Sequence, residues 1–363
     1  MEFDAEAGED SALEDSALED NALEDNALED NAQEDTAQEM GDEADQASDQ
    51  SADHATGEET APRKPALTEV NPGVDRDAVV AAALDSGAGL PKYLSPSSAG
   101  MFQECPRRWK HRYIDRLPDP PGEPALAGTF AHRVLELLLQ EPPEHRTPER
   151  AKELARDVWP EIGDDDDFKA LSLTEEQARA FRWRSWQAIE GLWSIENPSE
   201  VVVEATEQDI RVEIGGVPFR GIVDRLDIET DGLVIADYKS GKAPTERYQD
   251  ARLHQVLLYA AAVAELSGIQ PARARLLYLN QRIIEVDVTE NNIAEVTATL
   301  QDTWARLQEA CQTGEFEAQT GPLCAWCPFV AHCPEGQSEV TKRHGAGRVR
   351  HDAPGLAIIA EAS

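Results

Sequence analysis

Three segments of alternating apolar residues in the second half of the chain constrain the fold most strongly. They cover residues 201–214, 217–228 and 233–239, and short turns at Gly215-Gly216 and Asp231-Gly232 separate them. Apolar alternation with a period of two is typical of half-buried strands, and two-residue turns containing glycine join antiparallel neighbours. The pattern therefore predicts an antiparallel meander of three strands.

Helical patterns lie on both sides of this meander. Ser95 followed by Pro96 indicates a helix start, because serine caps a helix N-terminus and proline suits the first turn. Apolar spacing predicts further helices at about 128–140, 147–159 and 174–195. Beyond the meander it predicts a helix at 247–266, strands at 273–279 and 283–288, and a helix at 292–311. This order predicts an α/β fold with a mixed central sheet flanked by helices.

The first 60 residues differ in composition from the rest. Residues 9–39 repeat an acidic five-residue unit, a period that places no continuous apolar stripe on a helix. Residues 1–60 hold 23 of the 71 acidic residues and no Lys or Arg, so 48 acidic residues face 33 basic ones in the remainder. We expect residues 1–65 to be a disordered acidic tail that either aids solubility or competes with DNA for a basic surface. The folded domain is expected at 90–335, followed by a flexible C-terminal tail at 336–363.

Neither membrane insertion nor secretion is expected. No apolar run approaches the roughly 20 residues of a membrane span, and the N-terminus lacks the basic start of a secretory signal. Five cysteines, an odd number, do not suggest a disulfide framework. Cys311, within a predicted helix, is expected to be a small buried residue. We therefore expect a cytoplasmic protein in which the other cysteines hold a metal or a cluster.

Two carboxylates and a lysine fall on neighbouring strands of the predicted meander. Asp224 lies in the second strand, Asp237 lies near the end of the third, and Lys239 projects from the same face as Asp237. Converging carboxylates favour a hard divalent cation, Mg²⁺ or Mn²⁺. Such a metal beside a lysine is what phosphodiester hydrolysis requires, although this spacing alone is a weak signal.

Four motifs follow one another in the chain. They are Gly128-Thr129-x-x-His132, Gly221-x-Val223-Asp224-Arg225-x-Asp227, Asp237-Tyr238-Lys239-Ser240-Gly241 and Gln255-x-x-x-Tyr259. Over residues 94–335 this pattern resembles the RecB-family exonucleases of the PD-(D/E)XK nuclease superfamily. The resemblance implies a restriction-endonuclease-like core with a mixed central sheet.

The same resemblance implies a role for each motif residue. His132, Asp224 and Asp237 would bind the metal, and Lys239 would be the catalytic lysine. Gln255 and Tyr259 would line the active site and contact DNA. DNA, as single strands or ends, is the implied substrate.

Three cysteines are crowded near the end of the predicted domain. Cys324, Cys327 and Cys333 have a C-x2-C-x5-C spacing and lack a fourth thiolate nearby. The sequence around Cys105 resembles the first cysteine of the iron–sulfur subset of the family, which includes the AddB nuclease domain. Four thiolates fit a [4Fe–4S] cluster that would join the two ends of the domain. The alternative is structural Zn²⁺ on the same residues, or with His332 as a ligand.

The densest basic run of this acidic chain surrounds Cys105. Six basic residues between positions 107 and 116, counting His111, are interleaved with Trp109 and Tyr113. A positive surface with aromatic rings suits a single DNA strand.

Together these features predict a metal-dependent DNA exonuclease acting on ends or single strands in recombination or repair. The alternatives are a non-hydrolytic iron–sulfur DNA-binding adaptor for a helicase, and a nuclease that trims ends during CRISPR adaptation. The sequence has no G-x4-G-K-[ST] phosphate-binding loop, so any helicase partner is expected to be a separate chain.

Overall fold

A computed structural model describes residues 89–361, so the predicted acidic tail at 1–65 lies outside the described residues. The strands are β1 (Val203–Ile214), β2 (Val217–Glu229), β3 (Gly232–Lys239), β4 (Arg273–Tyr278) and β5 (Arg282–Asp287). The α-helices before the sheet are α1 (Pro96–Glu104), α2 (Pro106–Tyr113), α3 (Glu123–Gln140), α4 (Pro148–Gly163), α5 (Asp166–Ala170) and α6 (Glu175–Glu190). Those that follow β3 are α7 (Gln249–Ser267), α8 (Glu290–Thr313), α9 (Pro334–Gly345) and α10 (Gly355–Glu361).

The five strands form one sheet in the order β1-β2-β3-β4-β5. The first three strands are antiparallel neighbours, β3 and β4 are parallel, and β5 is antiparallel to β4. A parallel pair needs a crossover connection, which α7 provides. The structure confirms the predicted meander and the mixed sheet flanked by helices.

Local sequence signals fix several element ends. The Ser95 hydroxyl accepts a hydrogen bond from the backbone N–H of Ser98 at 3.1 Å, so the predicted cap of α1 is confirmed. Gly215 and Gly216, with φ of 57° and 82°, make the β1–β2 turn that a side chain would strain.

Two apolar cores lie on opposite faces of the sheet. The first core packs α1, α7 and α8 on the sheet and includes Phe102, Val223, Ile235, Val256 and Trp304. The second core packs α3, α4 and α6 on the other face and includes Phe130, Leu154, Phe181, Ala236 and Leu277. Because both faces of β3 are covered, residues 233–238 are all buried.

The alternation of β1 and β2 shifts by one residue in the middle of the pair. Val223 and Leu226 both belong to the first core, although their odd spacing should place them on opposite faces. The residues on either side of Glu207 pair with those on either side of Asp224, so these two carboxylates face each other at the shift. Glu207 has a φ of 46°, which non-glycine residues rarely adopt.

The chain after Cys333 differs from the predicted flexible tail at 336–363. It forms α9 and α10, which pack on the cysteine loop through a third apolar group that includes Ala325, Val330, Val340 and Ala353. The few apolar residues of this segment are spaced so that they meet the loop, which the weak helical pattern did not indicate. Within residues 89–361, no helix is long and apolar enough to cross a bilayer.

Candidate active site and cysteine cluster

Helix α3 brings His132 against the shifted segment of β1 and β2. The ligand atoms of His132, Glu207 and Asp224 all lie within 4.8 Å of one another. His132 Nδ1 is 3.3 Å from a carboxylate oxygen of Asp224. Two carboxylates and one imidazole therefore form a single donor set, which we call the acidic triad.

The backbone of Tyr238 holds two members of this triad. Pairing between β2 and β3 begins at Arg225 and Ala236, and beyond that point the two strands diverge. The N–H of Tyr238 instead donates to Asp224 Oδ2 at 2.8 Å. His132 Nε2 lies 3.0 Å from the Tyr238 carbonyl oxygen, which can only accept, so Nε2 carries the proton and Nδ1 faces the carboxylates.

Asp237, Lys239, Gln255 and Tyr259 form a chain of contacts beside the triad. Lys239 Nζ lies 3.2 Å from a buried Asp237 carboxylate and donates to Gln255 Oε1 at 3.0 Å. The Gln255 amide in turn donates to the Tyr259 hydroxyl at 3.3 Å. The structure thus links Asp237 and Lys239 of the third motif to Gln255 and Tyr259 of the fourth.

Glu207 was not among the predicted site residues. The closest set of donors contains Glu207 together with His132 and Asp224, while the predicted ligand Asp237 lies outside that set. The register of the β1–β2 pair is the signal that could have identified Glu207, because Glu207 is the β1 residue opposite Asp224.

Burial and the charges of neighbouring side chains shift the pKa values of His132, Glu207 and Asp224. Burial opposes protonation of His132, but the neighbouring Asp224 carboxylate prevails and raises the pKa of His132 to about 9. Burial and the charge of Asp224 raise the pKa of Glu207 to about 8. Burial also opposes ionisation of Asp224, yet its contact with His132 lowers the pKa of that carboxyl below its usual value. The Asp224 carboxylate thus favours protonation of His132, and burial together with that charge favours protonation of Glu207.

The donor set fits a hard divalent cation. Carboxylate oxygens with one imidazole nitrogen are ligands that suit Mg²⁺ or Mn²⁺, and a cation would balance the charge that raises the pKa of Glu207. The bond from His132 Nε2 to a carbonyl is the outer contact that orients a metal-binding histidine.

A buried ion network lies behind the site on the other face of β3. Arg225, with no exposed surface, contacts Glu196 through two nitrogens at 2.5 and 2.9 Å and Asp227 through Nε at 2.9 Å. Its Nη1 also donates to the Tyr238 hydroxyl at 2.6 Å. Tyr238 is therefore fixed by its side chain on one face while its backbone positions Asp224 and His132.

The four predicted cysteines line one cavity. Cys105, Cys324, Cys327 and Cys333 all border it, together with Arg107, Arg108 and His111. Cys105 lies between α1 and α2, whereas the other three belong to the C-terminal loop. His332 is exposed and does not border the cavity, and Cys311 is buried in α8, as expected.

The environment of these thiols differs from that of surface cysteines. Burial raises the pKa of Cys327 to about 11 and also raises the pKa values of Cys324 and Cys333. Backbone N–H groups of Gly321 and Gly336 point at the sulfurs of Cys324 and Cys333, at 3.4 and 3.3 Å. These buried sulfurs are therefore held as acceptors close to arginine side chains.

The basic run around Cys105 divides between two surroundings. Arg107, Arg108 and His111 border the cysteine cavity. Arg112, Tyr113 and Arg116 border a separate cleft, described below. Trp109 is fully buried in the first core, so it is not available for stacking on a base.

Comparisons with known proteins identify a family and two similar proteins. The family model described as PD-(D/E)XK nuclease superfamily matches residues 93–334. The Gene 69 protein of Mycobacterium phage L5 is 24% identical over 286 residues, which cover 66% of this chain and 95% of that protein. A crystal structure from Eubacterium rectale, named "Putative exonuclease", is 15% identical with a TM-score of 0.42, covering 66% of this chain and 88% of that one.

The buried network makes a prediction for stability. Arg225→Met leaves the Asp227 carboxylate buried without its cation, which should lower the free energy of unfolding by about 3–5 kcal/mol. Arg211→Met on β1 is the control, because the Arg211 side chain is 66% exposed and its pair with Asp209 is a surface one worth roughly 0–1 kcal/mol. Urea unfolding measures both, and similar small losses would contradict a structural role for the network.

Proposed function

The chain belongs to the PD-(D/E)XK nuclease superfamily, and we propose that it is a metal-dependent deoxyribonuclease that acts as an exonuclease on DNA ends or single strands in recombination or repair. The observation that supports this best is the acidic triad beside the contact between Asp237 and Lys239. A buried set of hard donors next to a lysine matches the needs of phosphodiester hydrolysis. The exonuclease assignment and the RecB-family branch rest on the motif resemblance.

Glu207, Asp224 and His132 Nδ1 would hold Mg²⁺ or Mn²⁺, with Asp237 completing the site. The bound metal would supply Lewis acidity and a low pKa for an attacking water. Tyr238 orients two of these ligands through its backbone. The site is thus preorganised by contacts that do not themselves touch the substrate.

Lys239 acts as the catalytic lysine in this proposal. Asp237 and Gln255 hold its ammonium group from two sides, so its position is fixed before a phosphate arrives. A fixed positive charge stabilises the negative charge that develops on the phosphate in the transition state. Tyr259 supports Gln255 and, with it, would border the substrate.

The first test is metal-dependent cleavage of end-labelled single-stranded and double-stranded DNA. Lys239→Ala should lower the rate by about 10²–10³-fold without unfolding the protein, because one transition-state charge is lost. Lys242→Ala is the matched control, since Lys242 is exposed three residues later and should retain full activity. Equal activity in both variants would contradict the mechanism, whereas wild-type protein that binds DNA and cleaves it with neither metal would favour the adaptor alternative.

The assignment of Glu207 is tested by metal binding itself. Glu207→Gln keeps the shape of the side chain but removes its charge, so Mn²⁺ affinity measured by calorimetry should fall by at least about tenfold. Glu204→Gln, on the same strand but outside the triad, should bind Mn²⁺ like the wild type. Unchanged affinity in Glu207→Gln would mean that the metal is held without this carboxylate.

We also propose that the four cysteines hold a [4Fe–4S] cluster. Cys105, Cys324, Cys327 and Cys333 border one cavity, so four thiolates from the two ends of the domain could bind one group. The choice of a cluster rests on the resemblance of the sequence around Cys105 to the iron–sulfur subset, and structural zinc is the alternative.

Cys327→Ser tests the cluster. Anaerobically purified wild-type protein should be brown and contain iron and acid-labile sulfide, and Cys327→Ser should be colourless and poorly soluble. Cys311→Ser is the control, because Cys311 does not border the cavity, and it should keep the colour and iron content. Zinc without iron in the wild type would show that the cysteines hold zinc and not a cluster.

A helicase partner stays a prediction of the sequence.

A further inference from the structure

A basic, aromatic cleft adjoins the candidate active site. It has a volume of about 840 Å³ and lies between residues 89–95, the end of α2 with the loop that follows, and β2. Its lining includes four cationic side chains, Lys92, Arg112, Arg116 and Arg220, and three aromatic ones, of which Tyr93 and Tyr113 are partly exposed and Trp109 is fully buried. Asp119, which pairs with Arg112, is the one acidic residue among the described residues that border it. This cleft, which we call the strand cleft, is therefore positively charged although the protein as a whole is strongly acidic.

The strand cleft leads to the metal-binding residues along β2. Arg220 and Ile222 border the cleft and precede Asp224 by four and two residues, so Arg220 lies about 13 Å from Asp224 along the strand. The edge of β2 is paired with Leu94 at Phe219 and with β3 from Arg225, and the described chain shows no strand pairing on that edge in between. Gly221 and Ile222, which border the cleft, lie in this unpaired stretch, three and two residues before Asp224.

Gly221 makes a second connection. A Cβ atom at this position would lie 2.6 Å from a ring carbon of Tyr259, so only glycine permits the close packing seen here. The Tyr259 hydroxyl also accepts a hydrogen bond from the Gln255 amide, which lies beside Lys239. Gly221, which borders the cleft, therefore packs directly on a side chain that belongs to the polar chain of the active site.

Arg220 is held in place rather than extended into solvent. Its guanidinium contacts Asp209 and the Tyr93 hydroxyl, both at 3.0 Å, and lies over the Tyr93 ring at 5.5 Å from its centre. Lys92 and Arg116, by contrast, are exposed at the rim of the cleft. Cations combined with aromatic rings are typical of surfaces that bind unpaired nucleic-acid strands.

We propose that this strand cleft binds the part of a single DNA strand next to the scissile phosphate, with Lys92 and Arg116 contacting phosphates. The proposal rests on the proposed nuclease function for its substrate class. The cations neutralise the backbone, and Tyr93 contacts an unpaired base.

The test is the affinity of the full chain for a labelled oligothymidine strand, measured by fluorescence anisotropy in chelator, where the metal-dependent reaction does not proceed. Lys92→Ala/Arg116→Ala should bind at least about tenfold more weakly, and the slope of log affinity against log salt should shrink by about 1.4, because each lost phosphate contact removes about 0.7. Lys152→Ala/Arg156→Ala on α4 removes the same charge from another exposed surface and should change neither quantity.

A second substrate separates binding in the cleft from chemistry. Thymidine 5′-p-nitrophenyl phosphate is too short to occupy the cleft, so Lys92→Ala/Arg116→Ala should lower its hydrolysis far less than it lowers the affinity for the strand. Equal losses of affinity in Lys92→Ala/Arg116→Ala and in Lys152→Ala/Arg156→Ala would overturn the proposal. It would also be overturned if a blunt hairpin duplex bound as tightly as the single strand and lost as much affinity in Lys92→Ala/Arg116→Ala. If the wild type does not hydrolyse DNA and Lys92→Ala/Arg116→Ala still loses affinity for the strand, the nuclease function is refuted and the cleft assignment stands.

Discussion

The peptide group and side chain of Tyr238 connect two members of the acidic triad to the buried ion network behind them. The N–H of this residue holds Asp224, its carbonyl holds His132, and its hydroxyl receives a bond from the buried Arg225. The two residues that flank it, Asp237 and Lys239, contact each other on the opposite face of β3. Divergence of β2 from β3 makes this possible, because it frees a backbone donor that would otherwise belong to the sheet.

Charge is arranged differently on the two faces of β3. Behind the site, Arg225 is matched by Glu196 and Asp227, and this buried network is neutralised within the fold apart from one residual negative charge. At the site, the acidic triad and Asp237 carry more negative charge than Lys239 and a neutral imidazole can balance. The charge of Asp224 raises the pKa of His132, and burial together with that charge raises the pKa of Glu207. A divalent cation at the triad would remove that imbalance and release the protons.

The basic run after Cys105 shows how one short helix contributes to two surfaces. Residues on one side of α2 border the cysteine cavity and those towards its end border the strand cleft, while Trp109 anchors the helix in the first core. Arg107 also donates to the Phe316 carbonyl at 2.7 Å, which ties α2 to the segment leading to the cysteine loop. Loss of a cluster at the cysteines would therefore be expected to disturb the cleft as well as the C-terminal helices.

The sequence by itself determined the strands, the main helices and the order of the four motifs, because periods of two and 3.6, glycine turns and a serine cap are local properties of the chain. The two-residue spacing also predicted that Asp237 and Lys239 project from the same face of their strand. Only the tertiary structure decided that Glu207 joins His132 and Asp224, and that residues after Cys333 pack as helices on the cysteine loop. The triad depends on a shift in strand alternation at a non-glycine residue with positive φ, and on contact between α3 and strands far away in sequence. The contact between α3 and the strands leaves no periodic trace in the sequence, since it arises from packing between segments rather than within one.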